Sequence, residues 1–312
     1  MTGKLFSSIG AMGTLALALL PGAALAQEAG QEVLGHALPG EIGLQPGVTP
    51  ISESIHAFHD GPLLWVAVLI ALLVLVLLIV VMVRFNSKSN PTPSKTTHNT
   101  LIEVVWTVVP ILILVIIAIP SFSVLTDQLT MPDGQRKYLG SNIFSFGEVE
   151  VPAPTVTVKA TGQQWYWDYE YVDDGLTITS YILPETSDNG QDRPTLKPNQ
   201  PRLLAVDNEL VVPVNATVRV QVTADPSGVI HAFAVPSFGV KIDAVPGKLN
   251  ETWFNARKEG LYYGQCSELC GKDHAFMPIA VRVVSKEQYD AFMAAFKGAD
   301  LAAAYATLPP IT

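Results

Sequence analysis

Both cysteines of the chain lie in one stretch, Gly264-Gln265-Cys266-Ser267-Glu268-Leu269-Cys270-Gly271-Lys272-Asp273-His274-Ala275-Phe276-Met277. Cys266, Cys270, His274 and Met277 put four soft or borderline donors within twelve positions. A second histidine, His231, lies upstream in Ile230-His231-Ala232-Phe233, and of the six histidines only these two follow the last long apolar run. On the cysteines alone, a disulfide is as good a reading as a metal site in an oxidising compartment. Zinc accepts two thiolates and two imidazoles, but its structural sites rarely include a thioether. A mononuclear blue-copper site needs one thiolate, and here there is one too many. Two bridging thiolates with one histidine apiece and weaker axial donors would hold two coppers, and that reading uses every candidate.

Such donors must be held by a frame. Beyond residue 126, β-rich runs recur at 155–160, 165–171, 177–182, 202–206, 217–223 and 279–284, separated by Pro, Gly, Asp and Asn. That rhythm predicts an antiparallel sandwich or barrel. His231 is expected on one loop and the Cys266–Met277 stretch on another. A helix would also align 266, 270 and 274, but the β-type flanks favour a loop. Trp165, Trp167, Tyr169 and Tyr171 alternate and are expected on one side of a strand, chiefly as packing. Residues 286–312 read as a short helical, Ala-rich tail.

Mean hydropathy is positive (+0.32) and only 15% of residues are charged, which calls for membrane-embedded segments beside one globular part. The formal charge of −9 argues against nucleic-acid binding and suits a basic partner. Residues 1–26 read as a signal peptide, with Lys4, an apolar centre and an Ala24-Leu25-Ala26 cleavage site. Residues 27–60, rich in Gly, Pro and acids, read as an extended periplasmic lead-in. Spans are expected at 61–84 and 101–125, with aromatic anchors Trp65 and Trp106. The 85–100 connection carries Arg84, Lys88 and Lys95 at or near it and no acid before Glu103, so it is expected in the cytoplasm and the 126–285 domain in the periplasm. Glu103 stands where the second span begins; an ionisable residue there is a functional candidate, or else a headgroup-level carboxylate.

The Cys-Ser-Glu-Leu-Cys-Gly…His-Ala-Phe-Met loop resembles the binuclear copper A motif of cytochrome c oxidase subunit II. The resemblance runs from about residue 55 to 284 and includes Gln164-Trp165-Tyr166-Trp167, Val206-Asp207-Asn208 and Lys241-Ile242-Asp243-Ala244-Val245-Pro246-Gly247. It implies a two-helix transmembrane hairpin followed by an all-β, cupredoxin-like Greek-key barrel. It implies two coppers held by His231, Cys266, Cys270, His274, Met277 and the main-chain carbonyl of Glu268. The Glu268 side chain would turn to a magnesium ion shared with subunit I. Trp165 would receive electrons from cytochrome c, and Glu103 would stand at the entrance of a proton path into subunit I. The chain would then be a multi-pass protein of the bacterial inner (plasma) membrane, taking in electrons for oxygen reduction in a haem-bearing partner.

Residues 126–312 hold 22 acids against 15 Lys and Arg, and Glu170, Asp173 and Asp174 cluster beside the aromatic strand. Together they suit docking of a basic cytochrome c. No Cys-x-x-Cys-His occurs, so no fused haem domain is expected. Two other readings are a membrane-anchored copper-handling protein and a disulfide-stapled periplasmic module. Nitrous oxide reductase has a similar copper loop without the hairpin; quinol-oxidase subunits have the hairpin without the ligands.

Overall fold

The computed structural model describes residues 35–145, 147–185, 195–196, 200–298 and 300–310. The leader expected at 1–26 lies outside them. Two long helices carry apolar side chains that no protein covers. Helix α1 (Pro50–Phe58) runs through a π-turn (His59–Leu63) into α2 (Leu64–Arg84). The 21 residues of α2 rise about 31 Å, the thickness of a bilayer's hydrocarbon core. Helix α3 (Thr100–Leu129) is the next helix in the chain and continues through Pro110 and Pro120. Leu72, Leu75, Leu78, Ile111, Leu114 and Ile116 are all more than half exposed, which water would not tolerate in such numbers.

Helix α1 corrects the expectation of an extended lead-in. Its start is a local device: Pro50 occupies the first turn and the Thr49 hydroxyl accepts the Ser52 amide at 3.1 Å. The nine residues are too few for periodicity to stand out from the Gly- and Pro-rich flank, but Ile51 and Ile55 share one face, which packs against the β-domain.

That domain follows a small ribbon, β1 (Lys137–Tyr138) with β2 (Val149–Glu150). Strands β3 (Val156–Gln163), β4 (Tyr166–Tyr171), β5 (Leu176–Ser180), β6 (Leu210–Pro213), β7 (Thr217–Ala224), β8 (His231–Val235), β9 (Val240–Ala244), β10 (Asn250–Asn255), β11 (Gly260–Cys266) and β12 (Pro278–Val284) form two five-stranded sheets. Their orders are β10-β7-β3-β4-β5 and β6-β12-β11-β8-β9. Pairing is antiparallel except β3 with β7 and β6 with β12. Strand β3 alternates strictly between buried and half-buried positions, so one face meets the core. Val158, Val220, Phe233, Phe254, Ile279 and Val281 fill the space between the sheets.

Strand β12 is buried at every position, because its sheet is covered on both sides. Leu204 and Val206 lie on Leu261, Tyr263 and Ala280 at the outer face. This is the use to which residues 202–206 are put, in place of the expected strand: Leu203 takes φ +66°, and the Leu204 and Ala205 amides both donate to the Pro201 carbonyl, closing a turn. The tail also belongs to the domain. Helices α4 (Lys286–Gly298) and α5 (Leu301–Tyr305) bring Phe292, Met293, Ala304 and Leu308 into the main core, and the Tyr305 hydroxyl donates to the Glu209 carbonyl.

Several ties hold the helices to the β-domain. Arg257 donates to both carboxylate oxygens of Glu53 (3.1 and 3.0 Å). The buried Asp127, at the end of α3, accepts from Arg136 (2.8 Å) and the Leu139 amide (2.9 Å), while its carbonyl accepts the Trp253 indole N–H (3.2 Å). Gln128 donates to the Gly239 carbonyl (3.1 Å). Ahead of α1, Gly35 exchanges main-chain hydrogen bonds with Leu261 and Tyr263, adding to the edge of β11.

Candidate metal centre

Strand pairing sets the first two donors. Cys266, the last residue of β11, lies opposite Phe233 on β8, and His231 opens β8 two residues earlier. Residues two apart on a strand share a face, as do directly opposed partners, so Cys266 and His231 turn inward together. His231 and Cys266 thus sit at strand ends rather than on the loops expected for them. The other donors are on the β11–β12 connection, which is a loop with one short 3₁₀ turn at His274–Phe276.

The donors converge. The Cys266 and Cys270 sulfurs are 3.8 Å apart, and both cysteines are buried and free. A disulfide would bring them to about 2.0 Å. Cys266 Sγ faces His231 Nδ1 at 3.8 Å and the Glu268 carbonyl at 3.3 Å. Cys270 Sγ faces His274 Nδ1 at 3.5 Å and Met277 Sδ at 3.5 Å. Each thiol therefore has its own imidazole and its own weaker donor. His231, Cys266 and Cys270 place ligand atoms within 4.8 Å of one another.

The surroundings favour a metal over protons. Burial, and then the nearby His274, hold His231 below the usual imidazole pKa, so its ring is neutral. Its Nε2 is buried without a partner, which leaves Nδ1 as the atom in use. Burial, and then the charge of Cys266, push the Cys270 thiol up, so thiolates require a cation between them. Two thiolates, two imidazoles and a thioether make a donor set that fits copper.

Two tryptophans grip the loop. The Trp167 indole donates to the Met277 carbonyl (3.3 Å), and its ring meets the His231 and Phe233 rings edge-on. Trp167 is fully buried, as are Tyr169 and Tyr171. Trp165 stands just ahead of β4, half-buried, and donates to the Cys270 carbonyl at 3.0 Å. The Lys272 ammonium lies 5.3 Å from the centre of the Trp165 ring, a cation–π contact that sequence reading missed. Gly271 has φ +123°, and a Cβ there would come within 2.9 Å of the same ring.

The Glu268 side chain is exposed while its carbonyl turns to Cys266. Glu103 is not part of this cluster: it lies in the first turn of α3, where its Oε1 accepts the Asn99 amide at 3.1 Å. The Asp207 carboxylate accepts the Tyr181 amide (2.8 Å) and Asn208 donates to the Thr179 carbonyl (2.9 Å), so that motif braces β5. Glu170 and Asp174, at and just beyond the C-terminal end of β4, are paired with Lys159 (3.6 Å) and Lys297 (2.5 Å). Leu269 (81% exposed) and Phe276 (45%) instead give the cysteine end an apolar rim.

Residues 37–124 match the family described as cytochrome C oxidase subunit II, transmembrane domain, and residues 156–284 match its periplasmic domain. A probable cytochrome c oxidase subunit 2 of Rickettsia bellii is 48% identical over 258 residues, covering 82% of this chain and 84% of the relative. Cytochrome c oxidase subunit 2 of Cereibacter sphaeroides is 42% identical over 299 residues, covering 93% and 90%. The crystal structure of the periplasmic domain of subunit II (CoxB) of Bradyrhizobium japonicum is 55% identical, with a TM-score of 0.40, over 46% of this chain and 94% of that one.

Fold and site together define a membrane-anchored, cupredoxin-like domain with a copper A type donor set. The anchor and the β-domain match two parts of one family, in the same order. The chain belongs to the cytochrome c oxidase subunit II family, the copper A-containing subunit through which an oxidase complex takes in electrons.

Proposed function

We propose that two copper ions would be held by the Cys266 and Cys270 thiolates, the His231 and His274 imidazoles and, as weaker donors, the Met277 thioether and the Glu268 main-chain carbonyl. The observation that carries this is the doubled arrangement: two unbonded thiols 3.8 Å apart, each flanked by its own Nδ1 and its own softer or weaker donor. Copper supplies one-electron redox chemistry there. The protein supplies rigidity. Cys266 and His231 are fixed by sheet pairing, and Trp165 and Trp167 hold the carbonyls of two loop ligands, so the donors keep their places when charge changes.

Electrons would arrive from cytochrome c through Trp165, whose indole reaches the Cys270 main chain, and leave for haem in subunit I. The exposed Glu268 carboxylate is suited to a magnesium ion shared with that subunit. Glu103 would stand at the cytoplasmic entrance of a proton path. The topology is a signal peptide at 1–26, a periplasmic segment at 27–60, spans at 61–84 and 101–125 in the inner membrane, a cytoplasmic 85–100 loop and a periplasmic domain from 126. Copper analysis and electron paramagnetic resonance of the full chain test the centre. The expected result is two coppers per chain sharing one unpaired electron; one copper, or none with a Cys266–Cys270 disulfide, would overturn it.

A further inference from the structure

We propose that the junction of the second span with the β-domain binds an anionic phospholipid of the periplasmic leaflet, its phosphodiester resting on Arg136 and Lys137. The loop joining β1 to β2 packs Leu139 and Ile143 against Val124 of α3 and against Ala57 and Phe58, just ahead of α2. It therefore lies at the depth where both spans leave the bilayer. Phe144, on the same loop, is 74% exposed, and an exposed ring at that depth is an interfacial anchor.

Between this ribbon and the end of α3 is a cavity of about 530 Å³. Phe122 and Leu139 give it apolar walls, Thr126 and Ser145 hydroxyls, and Arg136 and Lys137 its charge. Asp127 is the one acid among the described lining residues, and both its oxygens are engaged, by Arg136 and by the Leu139 amide. Arg136 spends one terminal nitrogen on Asp127, and its Nε is buried without a partner. Lys137 lies 3.6 Å from Glu150, and both side chains are more than half exposed, so this ammonium exchanges partners at little cost. A pocket lined by two cations and by an aromatic ring on a lipid-facing helix suits a headgroup with its acyl chain attached. Free phosphate would use the cations but not Phe122, which is 67% exposed on the span.

The test uses the intact oxidase complex containing the full chain, extracted in mild detergent, stripped of lipid and titrated under native mass spectrometry. The probes are phosphatidylglycerol, phosphatidylcholine and inorganic phosphate. Retention of phosphatidylglycerol in preference to phosphatidylcholine is expected, with Lys137→Gln weakening it about fivefold. Lys137 is exposed, so this variant folds; Arg136→Lys, which keeps the charge next to Asp127, should retain binding. Equal binding of the two lipids, indifference to Lys137→Gln, or full displacement by inorganic phosphate would overturn the proposal. So would failure of the intact complex to take up lipid because a neighbouring subunit fills the cavity.

Discussion

Met277 and Trp165 both reach Cys270, one at its sulfur and one at its carbonyl, and each makes a separable contribution. The Met277 sulfur is 3.5 Å from Cys270 Sγ, while its carbonyl is fixed by Trp167. Met277→Leu is expected to keep two coppers, because the thiolates and imidazoles remain, but to shift the redox potential and slow electron transfer. Loss of both coppers on metal analysis would count against a weak axial role. Trp165→Phe removes the hydrogen bond to the Cys270 carbonyl and replaces the indole with a smaller ring; stopped-flow reduction by cytochrome c should slow by orders of magnitude with the copper spectrum intact. Unchanged turnover would return Trp165 to packing. The donors were legible in the sequence because ligand chemistry is written in side-chain type. The Lys272–Trp165 contact was not, because it depends on a turn that folds the loop back over a residue 105 positions before Cys270.

At the scale of elements, the sheets position the donors through backbone fit. A Cβ on Gly162 of β3 would come within 2.9 to 3.0 Å of two ring atoms and the Cβ of His231. Gly162→Ala should therefore displace that imidazole, and a lowered copper content or altered hyperfine pattern in a folded protein would report it; a wild-type spectrum would show that the ring can yield. The tail should behave as core. Phe292 is fully buried against the main cluster, so Phe292→Ala should destabilise the chain by about 3–5 kcal/mol, readable in thermal unfolding. β-rich runs bounded by Pro, Gly, Asp and Asn made β3, β4, β5, β7 and β12 legible beforehand. The 202–206 run misled because apolar β-type residues also serve as a lid on a sheet's outer face, and composition does not separate the two uses. The tail's partners, Glu209 and Asp174, are distant in sequence, so its helical pattern was visible and its docking was not.

For the molecule as a whole, the buried phenols set an alkaline limit. Burial raises Tyr138 and Tyr262 from 10.0 to about 12, and pushes Tyr169 and Tyr171 higher still. Because these groups hold their protons more tightly folded than unfolded, their contribution is complete below pH 10 and is lost as pH rises from 10 towards 12. Chemical denaturation between pH 9 and 12 should show stability falling only over that upper range; a flat profile would mean that the phenols are open to water.

The ties between helices and β-domain have a mechanical consequence. Glu53–Arg257, Asp127–Trp253 and Gly35 on β11 are spaced around the junction, and Ser267, next to the first metal-binding cysteine, shares a cavity of about 380 Å³ with His56 and Gln128 at the helix ends. These contacts restrain the β-domain against swinging on its anchor. Any subunit that packs along the two spans therefore receives the cysteine loop at a set height and bearing, so that assembly in the bilayer and alignment of the electron's next step become a single act of registration.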